Sequence, residues 1–137
     1  MRNLFLILGF FLVVGASSST AQSTETKWLY FYPSYGSTGI TFYKIEAYKD
    51  SSGFYTGVTV SAYDYMANTL HPAPDFYYTC YTGPNGTGTL LTIGASNGVM
   101  GTGPVSSSSW NNSGVTSFHF ELEDFNLGQQ IQSVMFY

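Results

Sequence analysis

Charge is what this sequence has least of. Only 9% of its 137 residues are Asp, Glu, Lys or Arg, against about 25% in an ordinary soluble domain. The cations are Arg2, Lys27, Lys44 and Lys49, and the formal net charge is −4. No basic patch exists to bind nucleic acid, where affinity rests on Lys and Arg contacts to phosphates. Attraction to anionic lipid is disfavoured for the same reason. Cysteine is nearly absent as well. Cys80 stands alone, so no disulfide can close within the chain. Its setting, DFYYTCY, reads as a strand in which Phe76, Tyr78 and Cys80 face inward. Cys80 is then a small core residue and not a nucleophile. The two histidines, His71 and His119, have no second His or Cys at a zinc-site spacing, and both read as surface residues. Helical periodicity and internal repeats are absent.

Long apolar runs are missing too, with one exception at residues 4–14. That run is about half the ~20 residues a spanning helix needs. Arg2 precedes it, and the small residues Ser19, Thr20 and Ala21 follow it. This is the pattern of a secretory signal peptide cleaved after Ala21. The sequence therefore predicts a leader over 1–21, a short polar tail over 22–26 and one domain over 27–137. The mature chain carries no transmembrane helix. Its expected location is extracellular or periplasmic, and the Ala-Gln junction is of bacterial type. The tripeptides Asn85-Gly86-Thr87 and Asn111-Asn112-Ser113 match the glycosylation pattern but matter only in a eukaryote.

What the chain does have is aromatic residues and β-type alternation. Phe, Trp and Tyr make up 18% of it. The runs 27–32, 40–49, 54–65, 75–82, 87–93, 115–123 and 130–137 read as strands, with a weak eighth at Val99-Met100. Tyr43, Ile45 and Ala47 share one face; so do Val58, Val60 and Ala62. Thr116, Phe118, Phe120 and Leu122 point inward, opposite Ser117, His119, Glu121 and Glu123. Between strands, 66–75 reads as a loop, since Pro72 and Pro74 bar a helix interior and a central strand. GPNG (83–86) reads as a type I turn with a glycine bulge. GASNG (94–98) reads as a turn, and 101–114 as a long serine-rich loop carrying Trp110. The fold class expected is all-β: an antiparallel two-sheet β-sandwich of jelly-roll or Greek-key type, with seven or eight strands. A small outer-membrane barrel is the rival, but the expected inward faces are the apolar ones, the reverse of a barrel.

No motif of catalysis emerges. Carboxylates are present, yet nothing marks a facing pair, and no serine sits in a nucleophile elbow. A small secreted hydrolase would need a cleft the sequence does not indicate. The chemistry on offer is a tyrosine surface, flat and apolar with a polar tip. By alternation Tyr55, Tyr63 and Tyr65 face out, as do Tyr77 and Tyr81. Trp110, with Asn111 and Asn112, suits a loop tip. Rings of this kind stack on the C–H face of a sugar while amides and carboxylates take its hydroxyls. The sequence thus points to a non-enzymatic binding module for polysaccharide or cell-surface glycan. The alternative is a structural or adhesive protein that self-associates through weakly charged sheet edges. No cofactor is implied, except that Glu121, Glu123 and Asp124 cluster at one strand end and offer oxygen ligands to calcium.

Overall fold

The computed structural model describes residues 22–31, 41–64, 69–70, 75–84, 87–97, 105–125 and 130–137. The segment expected to be a leader, Tyr65, His71, the Val99-Met100 pair and Asn85-Gly86 lie outside these residues. The described residues form strands β1 (Ser23–Phe31), β2 (Thr41–Lys49), β3 (Tyr55–Asp64), β4 (Thr69–Leu70), β5 (Asp75–Tyr81), β6 (Leu90–Asn97), β7 (Ser106–Ser109), β8 (Phe118–Asp124) and β9 (Gln130–Phe136). They make two antiparallel sheets. The first runs β1-β2-β3-β4, with β7 also paired to β3; the second runs β6-β5-β8-β9. Among the described residues there is no helix that could cross a membrane.

Alternation places the core between the sheets. Tyr43, Ile45, Ala47, Val58, Val60 and Ala62 line the inner face of the first sheet; Phe76, Tyr78, Cys80, Phe118, Phe120 and Leu122 line that of the second. Fully burying one such side chain contributes about 1.5–3 kcal/mol. Rings then pack across the gap: Tyr43 meets Phe76 edge-on at 5.1 Å between centroids, and Tyr55 meets Phe118 at 5.0 Å. An apolar interior of this kind is a sandwich core.

A buried tyrosine hydroxyl must find a partner, and here each partner ties separate elements together. Tyr43 on β2 donates to the Asp124 carboxylate on β8. The Tyr78 hydroxyl on β5 pairs with the Ser108 hydroxyl on β7 at 2.7 Å. The Tyr55 hydroxyl serves the Glu25 carboxylate on β1 and lies 2.9 Å from the Tyr137 main-chain oxygen beyond β9. The edges of the two sheets approach each other at both sides, β1 beside β9 and β6 beside β7, without strand pairing between them among the described residues. On the first side the Gln132 amide stands in for a strand: it accepts from the Tyr30 N–H at 3.3 Å and donates to the Tyr30 carbonyl.

Several elements depart from the alternation reading. Residues 22–26 are no tail: β1 begins at Ser23 because β2 is long enough to pair it, Ser23 opposite Lys49. A short edge strand, β7, occupies part of the expected serine loop and pairs Ser106–Ser109 with Gly57–Val60. Gly57 permits that approach, since a Cβ there would stand 2.6 Å from the Ser108 carbonyl oxygen. Residues 94–97 of the expected turn are the end of β6, where Gly94 makes room for the Tyr78 ring. Two residues of the 66–75 loop, Thr69 and Leu70, pair with the end of β3. In the reversal after β5, Thr87 N–H donates to the Pro84 carbonyl at 3.1 Å and Thr82 N–H to the Thr89 carbonyl at 3.0 Å; Asn85 and Gly86 of the expected GPNG turn lie outside the described residues. Finally, β8 starts at Phe118, so Thr116 is exposed and Val115 is the buried residue.

Candidate functional site

The outer face of the first sheet carries the most developed surface. Leu29 and Phe31 point into the core, so Trp28 and Tyr30 on the same strand point out. Likewise Phe42 opposes Tyr43, and Tyr63 opposes Ala62. The register then sets them side by side: Tyr30 opposite Phe42, Phe42 opposite Tyr63, and Trp28 opposite Lys44. Four rings meet across three strands. Phe42 and Tyr63 stack at 5.3 Å and 12°, Trp28 lies 5.4 Å from Phe42 and 5.9 Å from Tyr63, and Tyr30 stacks on Phe42 at 6.2 Å. Trp28 is 41% exposed and Tyr30 48%; Phe42 and Tyr63 are half-buried beneath them. The result is an aromatic platform in which Trp28 is tilted by 49° and 51° to the Phe42 and Tyr63 rings it packs on.

Further along the same face the character changes. Lys44 and Glu46 form an ion pair at 3.2 Å. Burial works to lower the Lys44 pKa, but Glu46 and Tyr63 beside it outweigh that and raise it above the ordinary lysine value. Beyond them lies a shallow depression of about 380 Å3, lined by Gln22, Tyr48, Thr56, Gly57, Thr59 and serines of β7. The Thr59 and Ser107 hydroxyls are 3.1 Å apart. This trough offers hydroxyls, an amide and main-chain groups, and no full charge.

The outer face of the second sheet holds a smaller group. Tyr77 lies 5.6 Å from Phe125, and its hydroxyl bonds Glu123, which holds the phenol pKa up. Tyr81 is half-buried, while Ile93 and Ile131 stand out as isolated apolar side chains, 60% and 57% exposed.

Set against the sequence reading, the candidate residues separate. Tyr63 belongs to the platform. Tyr77 and Tyr81 lie on the other sheet, and Tyr65 is outside the described residues. Tyr55 is not a surface residue at all. The register shift between Tyr48 and Lys49 sets Lys49 opposite Tyr55 and leaves Thr56 as the extra residue. That shift turns Tyr55 into the core, where Lys49 sits 4.4 Å from the ring centroid. Trp110 is a core residue too, 7% exposed. Pairing of β7 with β3 carries it inward, its indole N–H donates to the Tyr55 carbonyl at 2.8 Å, and its ring packs on Phe118. Asn111 and Asn112 remain exposed but flank no exposed ring.

The calcium cluster also divides. Glu121 and Glu123 face outward and half-buried, whereas Asp124 points between the sheets and accepts the Tyr43 hydroxyl. Among the described residues no group of three His, Cys, Asp or Glu is placed to hold a metal ion. His119, expected at the surface, is buried between its neighbours Tyr81 and Met135. Alternation alone missed Trp28, Tyr30 and Phe42 as a site. Their outward parity was readable within each strand, but their contact depends on the register of β1, β2 and β3. Comparison with protein-family models, curated proteins and solved structures finds no match to the chain.

Proposed function

We propose that this protein is a secreted, non-enzymatic binding module that recognises carbohydrate through the outer face of its first sheet. The platform of Trp28, Tyr30, Phe42 and Tyr63 carries this reading. An exposed indole and phenol on a packed base of rings suit the C–H face of a pyranose ring. Large aromatic side chains on a rigid strand surface lose little freedom on binding. The scarcity of charge supports a neutral polar partner over nucleic acid or lipid. Affinity gels containing insoluble or soluble polysaccharides, together with a glycan array, test the reading. Retardation by at least one polysaccharide, lost in Trp28→Ala, is the expected result. Absence of retardation by every sugar removes it.

One observation favours a second reading, self-association in a structural or adhesive role. β6 is an edge strand of eight residues, LLTIGASN, without a charged side chain. Such an edge lacks the charges that normally block strand addition. Concentration-dependent sedimentation separates the two, because a strict monomer at high concentration excludes self-association.

A further inference from the structure

The platform and the trough lie on one face of one sheet, and the strands that carry them are continuous. Phe42 and Tyr48 are the outward residues near the two ends of β2, and Tyr63 and Gly57 are their partners on β3. Six residue steps along the strand separate the two rows, a distance of about 20 Å at ~3.3 Å per residue. Between them stand Lys44, Glu46, Ser61 and Thr59. Among the described residues Lys44 and Glu46 are the charged side chains of this face, and they neutralise each other at 3.2 Å. The face is therefore aromatic at one end, uncharged in net terms at its middle and hydroxyl-rich at the other.

We propose that platform and trough are the two ends of a single elongated site that takes an uncharged polysaccharide lengthwise along β2 and β3. This rests on the carbohydrate reading above and adds the shape, charge and direction of the ligand. A single sugar ring covers the platform alone. A chain of several rings extends over the Lys44–Glu46 pair and reaches the depression, where Ser107, Ser109, Tyr48 and Gln22 exchange hydrogen bonds with its hydroxyls. Gly57 keeps the floor of that depression free of a side chain, for a reason independent of any ligand: the Ser108 carbonyl leaves no space for a Cβ. A polyanion meets no net positive charge here, since Lys44 is paired with Glu46.

The test is a ladder of neutral β-glucan, xylan and mannan fragments, from disaccharide to octasaccharide, titrated by calorimetry into wild type, Trp28→Ala and the double variant Ser107→Ala/Ser109→Ala. In wild type, affinity rises about tenfold or more from the shortest bound fragment to one that spans the face, then levels off. The serine variant binds the shortest fragment as wild type does but loses most of the rise. Trp28→Ala weakens every length. Affinity that does not change with length, or a rise untouched by the serine variant, overturns the elongated site and leaves the platform reading standing. A uronic-acid polymer that binds more tightly than the neutral series overturns the uncharged ligand. If no fragment or parent polymer binds wild type, both readings fall together.

Discussion

Trp28 and Trp110 are used in opposite ways, and that contrast sets the first prediction. Trp110 closes the core over Phe118 with its N–H satisfied by the Tyr55 carbonyl. Trp110→Ala should cost about 3–5 kcal/mol, as removal of a large buried ring does. Trp28 is partly solvated and contributes ring contacts alone, so Trp28→Ala should cost about 1 kcal/mol. Denaturant titration of the two variants checks the difference. Cys80 and Tyr43 make a second prediction. Burial raises the Cys80 thiol well above its ordinary value, and native protein should resist thiol reagents until it unfolds. Burial, then the neighbouring Asp124 carboxylate, raises the Tyr43 phenol; burial, then Glu25, raises Tyr55. In the unfolded chain a tyrosine titrates near pH ~10. A group raised on folding keeps its full contribution below the unfolded value and loses it above. Stability contributed by these phenols should hold to about pH 10 and then fall by up to ~1.4 kcal/mol per pH unit for each group. Cys80 adds a decline of the same slope that begins lower, at about pH 8.5. Tyr43→Phe should be less stable at neutral pH by about 1–3 kcal/mol, because Asp124 loses a buried donor. It should also show a shallower alkaline limb in thermal melts. An equally steep limb would count against the Tyr43 assignment.

At the level of elements, two glycines hold strand pairs together through close approach. A Cβ on Gly94 would stand 2.2 Å from the Tyr78 ring, which is itself pinned by Ser108. Gly94→Ala should destabilise by about 1–3 kcal/mol, as overpacking does. Gly57→Ala should instead part β7 from β3 and expose Trp110, visible as a red shift in fluorescence. The same elements explain what could be read from sequence. The inner faces of β2, β3, β5 and β8 were legible because Tyr43-Ile45-Ala47 and Phe118-Phe120-Leu122 alternate without interruption. Tyr55 was misread because a bulge beside Lys49 reverses its side, and a bulge leaves no trace in alternation. Trp110 was misread because four serines show no apolar pattern, so their pairing with β3 was invisible. The platform was half legible: each ring's outward parity could be read, but its neighbours could not, since register is a tertiary property.

For the whole molecule, the two sheets are fastened by tyrosines that reach out of their own strands, while at the flanks β1 lies beside β9 and β6 beside β7. The β1 flank is guarded by Gln132 and by Lys27, which sits over the Phe136 ring at 5.5 Å. On the outer face of the first sheet Trp28 and Tyr30 are exposed, and the charges of Lys44 and Glu46 cancel. The central claim is that this face, and not the second sheet's Tyr77 group, meets the ligand. Affinity electrophoresis of wild type, Trp28→Ala and Tyr77→Ala in gels of the same retarding polysaccharide tests it most directly. Wild type and Tyr77→Ala should be retarded alike, with at least tenfold weaker binding, about 1.4 kcal/mol, in Trp28→Ala. Loss of retardation in Tyr77→Ala with Trp28→Ala unaffected would contradict it.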